Sequence, residues 1–301
     1  NAPGTDVDSD SSSNGGLFNT LQMLRPRRQE PGDAEEVEEP PKATGKLIVV
    51  SNRLPFSVKP GEGGYQFIMS SGGLVSAMLG VMEDDQMTWL GWPGISADTE
   101  EDQQVIRDQL AEHKCVPVFL DEHTADTYYN GFCNSVLWPL FHYVQDVLDT
   151  NPVQEQWASY QRANQLFYEE IINMVNAAQQ THTSSKHSPP LSPLTTHHHL
   201  LSSLPSPQVE PGDTVWVHDY HLMLLPTMLK STMPSLRVGW FLHTPFPTSE
   251  VFRMLPMRDD IMKGLAGADL IGFHTHQYVR HFLSAARRTL QSEECDTSLS
   301  A

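Results

Sequence analysis

The stretch 215–247 constrains the fold of this 301-residue chain more than any other part of the sequence. It contains two short apolar runs, 215–218 and 237–242, separated by a segment with helical spacing that extends to Lys230. Short apolar strands that alternate with helices are typical of βαβ units around a parallel sheet. We therefore predict an α/β fold, a Rossmann-like parallel sheet with flanking helices, whose ligands bind at the carboxyl ends of the strands.

Polar residues follow the apolar runs at these predicted carboxyl ends. The first run ends in the cluster His218, Asp219, Tyr220 and His221, and the second is followed by His243. Taken alone, the cluster is equally consistent with a helix cap, because Asp is a favoured N-cap residue. Arg53 follows another β-branched run, 47–50, although a single arginine there is also typical of a solvated loop. Polar residues at the ends of several strands together favour a binding site.

Three further segments carry candidate binding residues. Gly72 and Gly73 lie in a small-residue loop before a helix, where N–H groups and the helix dipole suit an anion, although most such pairs are simply turns. The segment 87–94 is predicted to be a strand and its loop, and Trp92, which precedes Pro93, is expected on the loop, where it can face a sugar ring. Segment 127–139, with Tyr129 and Trp138, is rich in aromatic and amide side chains, which indicates either core packing or a carbohydrate or phosphate pocket.

The sequence predicts one lobe between two unstructured ends. Residues 1–45 contain nine acidic and four basic residues and are predicted to be a disordered acidic tail. Residues 46–290 form the predicted lobe, with a disordered insertion at 182–211, and 291–301 is a frayed end. The insertion contains three consecutive histidines, but their Ser/Pro-rich surroundings lack the geometry of a metal site.

Composition excludes several functional classes. A net charge of −18 argues against nucleic acid as a partner, since that requires a basic face. No apolar run reaches the length of a membrane span, so no membrane association is expected. Three cysteines without metal-ligand spacing indicate a reducing compartment, and we predict a cytoplasmic protein without a bound metal.

Six short motifs occur in an order that resembles the trehalose-6-phosphate synthases, UDP-forming retaining glycosyltransferases of family 20 with the GT-B fold. They are VVSNRLP (49–55), WLGWPG (89–94), YYNGF (128–132), LWPLFHY (137–143), HDYHL (218–222) and FLHTPFP (241–247). The resemblance implies transfer of glucose from UDP-glucose to glucose 6-phosphate, which forms trehalose 6-phosphate and UDP without a cofactor. The chain resembles only the N-terminal, acceptor-binding lobe. Without the C-terminal lobe, we expect it to be inactive alone.

The resemblance also implies roles for individual residues. The residues assigned to glucose 6-phosphate are Arg53, Trp92, Tyr129, Trp138 and Asp219. Those assigned to UDP-glucose are Gly72, Gly73 and His243, and the catalytic assignments are His243 and Asp219. Front-face transfer requires no nucleophilic carboxylate.

Two alternatives remain open at the level of the sequence. One is a non-catalytic regulatory subunit of a trehalose synthase/phosphatase complex, and the other is a different nucleotide-sugar glycosyltransferase. For the assembly, we expect either a homo-oligomer or a trehalose-synthase complex.

Overall fold

The computed structural model describes residues 45–82, 87–144, 150–184, 209 and 212–298. Its centre is a six-stranded parallel sheet with the order β5-β4-β1-β6-β7-β8. The strands are β1 (Leu47–Arg53), β4 (Met87–Trp92), β5 (Cys115–Pro117), β6 (Thr214–His218), β7 (Arg237–Leu242) and β8 (Leu270–Phe273). The predicted Rossmann-like parallel sheet is therefore confirmed.

The direction of strand addition reverses next to β1. From β1 the chain adds β4 and β5 on one side, then crosses to the other side and adds β6, β7 and β8. Such a reversal opens a crevice at the carboxyl ends of the two central strands, which is where open α/β sheets bind ligands. Here those strands are β1 and β6, which carry Arg53 and His218.

Both faces of the sheet are buried, which explains why its strands are continuous apolar runs. Ile48 and Val50 of β1 pack into one core, whereas Val49 between them packs into the other. This alternation follows from the two-residue period of a strand. The larger core also contains Trp240 of β7, and the smaller one contains Trp89 of β4.

Helices connect the strands and cover the sheet. They are α1 (Gly73–Met82), α2 (Glu100–Ala111), α3 (Glu122–Ala125), α4 (Trp138–Phe141), α5 (Thr150–Ser184), α6 (Leu225–Thr232), α7 (Ser249–Phe252), α8 (Arg258–Leu265) and α9 (His276–Ser298). None of the described helices is both long enough and apolar enough to cross a membrane.

Two elements differ from a simple alternation of strands and helices. A hairpin of β2 (Phe56–Gly61) and β3 (Gly64–Met69) follows β1, and its tip includes Gly63 at a φ of 83°. The aromatic segment predicted at 127–139 forms a π-helix, Asp126–Leu137, between α3 and α4.

The predicted boundaries need two corrections. Helix α5 continues to Ser184, so 182–184 are helical and do not belong to an insertion. Helix α9 continues to Ser298, so the chain does not fray at 291 as predicted. The predicted tail before Gly45 and the remainder of the insertion, apart from residue 209, lie outside the described residues.

Candidate functional site

The structure brings polar side chains together at the carboxyl ends of four adjacent strands. Arg53 ends β1, Trp92 ends β4, His218 ends β6, and His243 directly follows β7. Tyr129 of the π-helix and Asp219 complete this group, which we call the switch-point site. Its position beside the reversal between β1 and β6 is the one expected for a ligand site.

Arg53 is held at the site by a bulge and by two glycines. The pairing of β1 with β4 shifts between Val50 and Arg53, as at a β-bulge, which places Arg53 opposite Trp92. A Cβ on Gly91 would lie 2.8 Å from the main-chain nitrogen of Leu54, so the bulge requires glycine there. Gly94, at a φ of 86°, leaves room for the guanidinium, since a Cβ would lie 2.5 Å from Nη2 of Arg53.

The guanidinium of Arg53 packs over an aromatic ring and stays accessible. Its central carbon lies 4.5 Å from the centroid of the Trp92 ring, a cation–π contact that fixes the group without neutralising its charge. The arginine side chain is exposed, and the ring of Tyr129 lies 6.5 Å from that of Trp92. A fixed cation beside a phenol hydroxyl is suited to binding a phosphate.

Asp219 has a strained backbone. Its φ of 70° and ψ of −178° lie in a region that is otherwise almost restricted to glycine. The side chain makes no capping hydrogen bond to the following 3₁₀ turn, Tyr220–Leu222, so the helix-cap interpretation of this cluster is wrong. About a quarter of the side chain, 24%, is exposed, which leaves the carboxylate accessible to a ligand.

Several groups lie around the Asp219 carboxylate. Burial raises its pKa to about 6, while the main-chain N–H groups of Tyr220 and His243 and the nearby His142 act in the opposite direction. The N–H of His243 donates to Oδ1 over 3.4 Å. Nδ1 of His221 lies 3.9 Å from Oδ2. Burial lowers the pKa of His221 to about 3, so this ring is neutral and the contact is not an ion pair at pH 7.

Helix α5 and the π-helix hold the turn that follows Asp219. The hydroxyl of Tyr160 donates to the carbonyl of Tyr220 and accepts from the N–H of Met223, both at 2.9 Å. The amide of Asn164 donates to the carbonyl of His221 and accepts from the N–H of Leu224. These contacts fix the main chain on the carboxyl side of the strained residue, which is how a site can retain such strain.

Two histidines at the ends of β6 and β7 are hydrogen-bonded to each other. Nδ1 of His218 lies 2.9 Å from Nε2 of His243. Burial, together with His243, lowers the pKa of His218 to about 3. Burial and the neighbouring His274 lower the pKa of His243 to about 4, so both rings are neutral at pH 7.

The remaining predicted residues lie at the edge of the site. Trp138 is exposed and stacks on His142 with ring centroids 4.2 Å apart, and it is linked to Asp219 through the effect of His142 on that carboxylate. Gly72 and Gly73 are exposed at the start of α1, and a Cβ on either would have no atom within 4 Å. Their predicted role with the donor therefore has no steric support and stays a prediction.

Buried polar atoms without a protein partner are concentrated around this site. They include the side-chain atoms Asn52 Oδ1, Trp92 Nε1, His218 Nε2, His221 Nδ1 and Thr244 Oγ1. Because native proteins satisfy nearly all buried polar groups, such a concentration indicates a polar ligand. Within the described ranges, no three His, Cys, Asp or Glu side chains are grouped so as to hold a metal ion.

The structure adds residues that sequence reasoning did not assign. The sequence places His218 and His221 only in a polar cluster, and it assigns no role in the site to Tyr160 or Asn164. The single signal for Asn164 was an amide in the middle of a helix, which is a weak indication of a buried hydrogen-bonding role.

Comparison with known proteins gives a consistent family. The model of glycosyltransferase family 20 matches residues 45–181 and 199–300. The alpha,alpha-trehalose-phosphate synthase [UDP-forming] 1 of Arabidopsis thaliana is 44% identical over 254 residues, which cover 82% of this chain and 23% of that protein.

Solved structures show the same fold. The N-terminal domain of the trehalose-6-phosphate phosphatase of Candida albicans matches with a TM-score of 0.61 and 27% identity, over 85% of this chain and 46% of that one. An alpha,alpha-trehalose-phosphate synthase (UDP-forming) from Burkholderia xenovorans, in complex with glucose-6-phosphate, matches with a TM-score of 0.54 and 26% identity, over 79% and 42%. The chain thus spans less than half the length of each of these relatives.

Proposed function

The chain belongs to glycosyltransferase family 20, and on this basis we propose that it forms the acceptor-binding lobe of a UDP-forming trehalose-phosphate synthase. The proposed reaction transfers glucose from UDP-glucose to glucose 6-phosphate. Its products are alpha,alpha-trehalose 6-phosphate and UDP. The UDP product agrees with the names of the matched relatives, and glucose 6-phosphate is the ligand in the structure from Burkholderia xenovorans.

The observation that carries the proposal is the geometry around Arg53. The guanidinium lies over Trp92, beside the Tyr129 ring, and the Asp219 carboxylate is reached from Tyr129 through the stacked ring of His221. A sugar phosphate has a dianionic end and a polyhydroxyl end. Arg53 and Tyr129 suit the phosphate, whereas Asp219 suits the hydroxyl groups, which donate to a carboxylate.

Trp92 and Trp138 complete the proposed acceptor site. The indole N–H of Trp92 is buried and has no protein partner, so it is a donor that an oxygen of the ligand can satisfy. Trp138 exposes 43% of its surface at the edge of the site, where its ring can cover the apolar face of a sugar.

On the donor side, we assign His243 to the glucose of UDP-glucose and Gly72 with Gly73 to its diphosphate. In the proposed transfer, the bond between the anomeric carbon and the UDP oxygen breaks, and a bond to the acceptor oxygen forms on the same face. The proton of the acceptor hydroxyl passes to the leaving phosphate. The protein then contributes mainly by holding both reactants in place, an effect worth up to about 7–11 kcal/mol in favourable cases.

A second candidate function is a non-catalytic subunit of a trehalose synthase/phosphatase complex. The match to the N-terminal domain of a trehalose-6-phosphate phosphatase favours it. Against it, the structure keeps Arg53, Trp92, Tyr129 and Asp219 close together, with strain at Asp219 that a scaffold does not need.

The proposal also includes the location and the assembly of the protein. Cys115 and Cys133 are buried free thiols, which agrees with a reducing compartment such as the cytoplasm. Assembly into a homo-oligomer or a trehalose-synthase complex stays a prediction.

Calorimetric titration of the chain with glucose 6-phosphate and with glucose tests the acceptor site. We expect saturable binding that requires the phosphate and is weakened at least about tenfold by Arg53→Ala, because charge-assisted hydrogen bonds are worth about 1.5–3 kcal/mol. Arg107→Ala is the matched control. Arg107 also packs over an aromatic ring, at 5.0 Å from that of Phe119, but it is paired with Glu170.

The results separate the proposed site from general effects of losing an arginine. Equal losses in the two variants, or equal affinity for glucose and glucose 6-phosphate, would contradict the proposed acceptor site. Formation of trehalose 6-phosphate from UDP-glucose then decides between the enzyme and the non-catalytic subunit. This assay requires the chain to be joined to the C-terminal lobe of a relative.

A further inference from the structure

His218 contacts His243, the residue proposed to bind the donor sugar, and is itself assigned to neither substrate. It is the last residue of β6 and is 1% exposed. Its Nδ1 lies 2.9 Å from Nε2 of His243, and the ring of Trp216 packs at 4.5 Å from its own. The ring is therefore held at the carboxyl end of the central strand β6, where it can orient the ring of His243.

The surroundings of His218 determine which nitrogen carries its proton. Two neutral imidazoles form a hydrogen bond when one nitrogen has a proton and the other has a free lone pair. Nε2 of His218 is buried and has no hydrogen-bond partner in the part of the chain that the structure describes. Since an unpaired buried N–H is rarer and less favourable than an unpaired acceptor, the proton belongs on Nδ1 of His218, which donates to Nε2 of His243.

This assignment fixes the state of His243. Its Nε2 accepts the hydrogen bond, so a neutral His243 carries its own proton on Nδ1. We infer that His218 is a positioning residue that holds His243 in the Nδ1–H tautomer, as a hydrogen-bond donor to an oxygen of the donor sugar. The identity of the ligand as the donor sugar rests on the proposed function, whereas the tautomer of His243 does not depend on that function.

Other titratable groups face this pair and belong in any test of it. The ring of His274, which follows β8, lies 5.6 Å from that of His243. The carboxylate of Asp219 accepts the main-chain N–H of His243. Among the described residues, neither group is hydrogen-bonded to the imidazole of His243, so His218 is the group that selects its tautomer.

Long-range ¹H–¹⁵N spectra of the ligand-free 301-residue chain test the tautomer directly. The signals of His243 are assigned by their loss in His243→Ala. We expect a protonated Nδ1 and an unprotonated Nε2 for His243 at pH 7. An Nε2–H tautomer, or an equal mixture of both tautomers, overturns the inference without any variant of His218.

Two amide variants then separate positioning from a merely structural role. His218→Asn keeps an N–H donor at the position of Nδ1, whereas His218→Gln places its amide at the position of Nε2. We expect His218→Asn to preserve the tautomer. In His218→Gln, we expect His243 to become a mixture of tautomers.

Titration with UDP-glucose, performed on the chain joined to the C-terminal lobe of a relative, adds a functional comparison. We expect His218→Gln to weaken binding about tenfold, as for the loss of one hydrogen bond, and His218→Asn to restore most of it. An unchanged tautomer in His218→Gln overturns the inference. If the chain has the expected tautomer but does not bind glucose 6-phosphate, the proposed function fails and the role of His218 in fixing His243 stands.

Discussion

Asp219 shows how one residue can reduce stability while it serves a site. A non-glycine residue at its φ and ψ costs about 1–3 kcal/mol. The raised pKa of its carboxyl group adds to this cost. Because the pKa in the folded state, about 6, exceeds the usual 3.8, the ionised carboxylate destabilises the fold at pH 7, and the effect disappears as the pH falls below 3.8.

We therefore expect Asp219→Gly to stabilise the chain and to abolish binding of glucose 6-phosphate. The substitution relieves the strain and removes the charge, and the added flexibility of glycine offsets about 0.5–1 kcal/mol of this gain. The relieved strain and the removed charge together outweigh this loss, so a net stabilisation of at least about 1 kcal/mol at pH 7 is expected in urea denaturation. Asp219→Asn should stabilise less, since it removes the charge but not the strain, and a less stable Asp219→Gly would contradict the argument.

The sequence was a good guide to which residues meet and a poor one to their conformations. Arg53, Asp219 and His243 lie together because each is at or next to the carboxyl end of a strand, which the apolar runs predict well. Tyr129 is assigned to the site through the family resemblance, and the sequence predicts Trp92 on a loop. The φ of Asp219 depends on contacts with α5, so no local pattern could indicate it. The local preference of Asp for N-caps predicted a different role.

Helix α5 links the core to the site at the scale of elements. Its apolar residues pack into the core, with Trp157, Tyr160 and Ile171 buried. Two polar groups on the same buried face, the Tyr160 hydroxyl and the Asn164 amide, satisfy main-chain groups of the turn after Asp219. The position of the carboxylate therefore depends on a helix that does not itself contact the proposed ligand.

Asn164→Leu tests this dependence. The side chain is fully buried, and its removal leaves the N–H of Leu224 without its partner, while the carbonyl of His221 keeps the bond from the Tyr128 hydroxyl. An unsatisfied buried group costs about 1–3 kcal/mol, and we expect a loss of this size in urea denaturation. We also expect weaker binding of glucose 6-phosphate, because the Asp219 turn is no longer fixed.

Gln165→Leu provides the control on the same helix. Within the described ranges, the Gln165 side chain bonds only to Glu169, one turn along α5, so its removal should leave both stability and affinity nearly unchanged. An Asn164→Leu protein that is destabilised but binds glucose 6-phosphate as wild type does would show that α5 stabilises the fold without positioning Asp219.

The π-helix is the element that sequence reasoning could not define. Its wider turn buries Tyr128, Phe132, Cys133, Val136 and Leu137 on one face, and Tyr129 remains beside Trp92 and His221. The pattern of apolar residues was recognised only as dense in aromatics. Because π-helices are rare and are stabilised by tertiary contacts, here with α5, the sequence alone did not indicate one.

At the scale of the whole molecule, the buried histidines predict how stability depends on pH. The folded-state pKa values of His218, His221 and His243 are about 3, 3 and 4, below the usual 6.5. Between pH 6.5 and 4 the unfolded state therefore binds more protons at these three groups, and stability falls as the pH falls. Asp219 acts in the opposite direction between pH 6 and 3.8, where the folded state holds its proton.

The net effect is a loss of stability in acid. Three histidines opposed by one carboxyl group leave about two protons of difference at pH 5, which corresponds to a slope on the order of 2 kcal/mol per pH unit. Urea denaturation at pH 7.5, 6.5, 5.5 and 5.0, followed by tryptophan fluorescence, should show this decline. The magnitude of the net charge, −18 at pH 7, becomes smaller over the same range, which lessens self-repulsion and favours the fold, so a decline cannot come from general charge.

Asp219→Asn removes the opposing group and should make the decline in stability steeper. Stability that is constant from pH 6.5 to 5.0 would show that the histidines titrate in the folded protein and that the polar centre of the molecule is open to water.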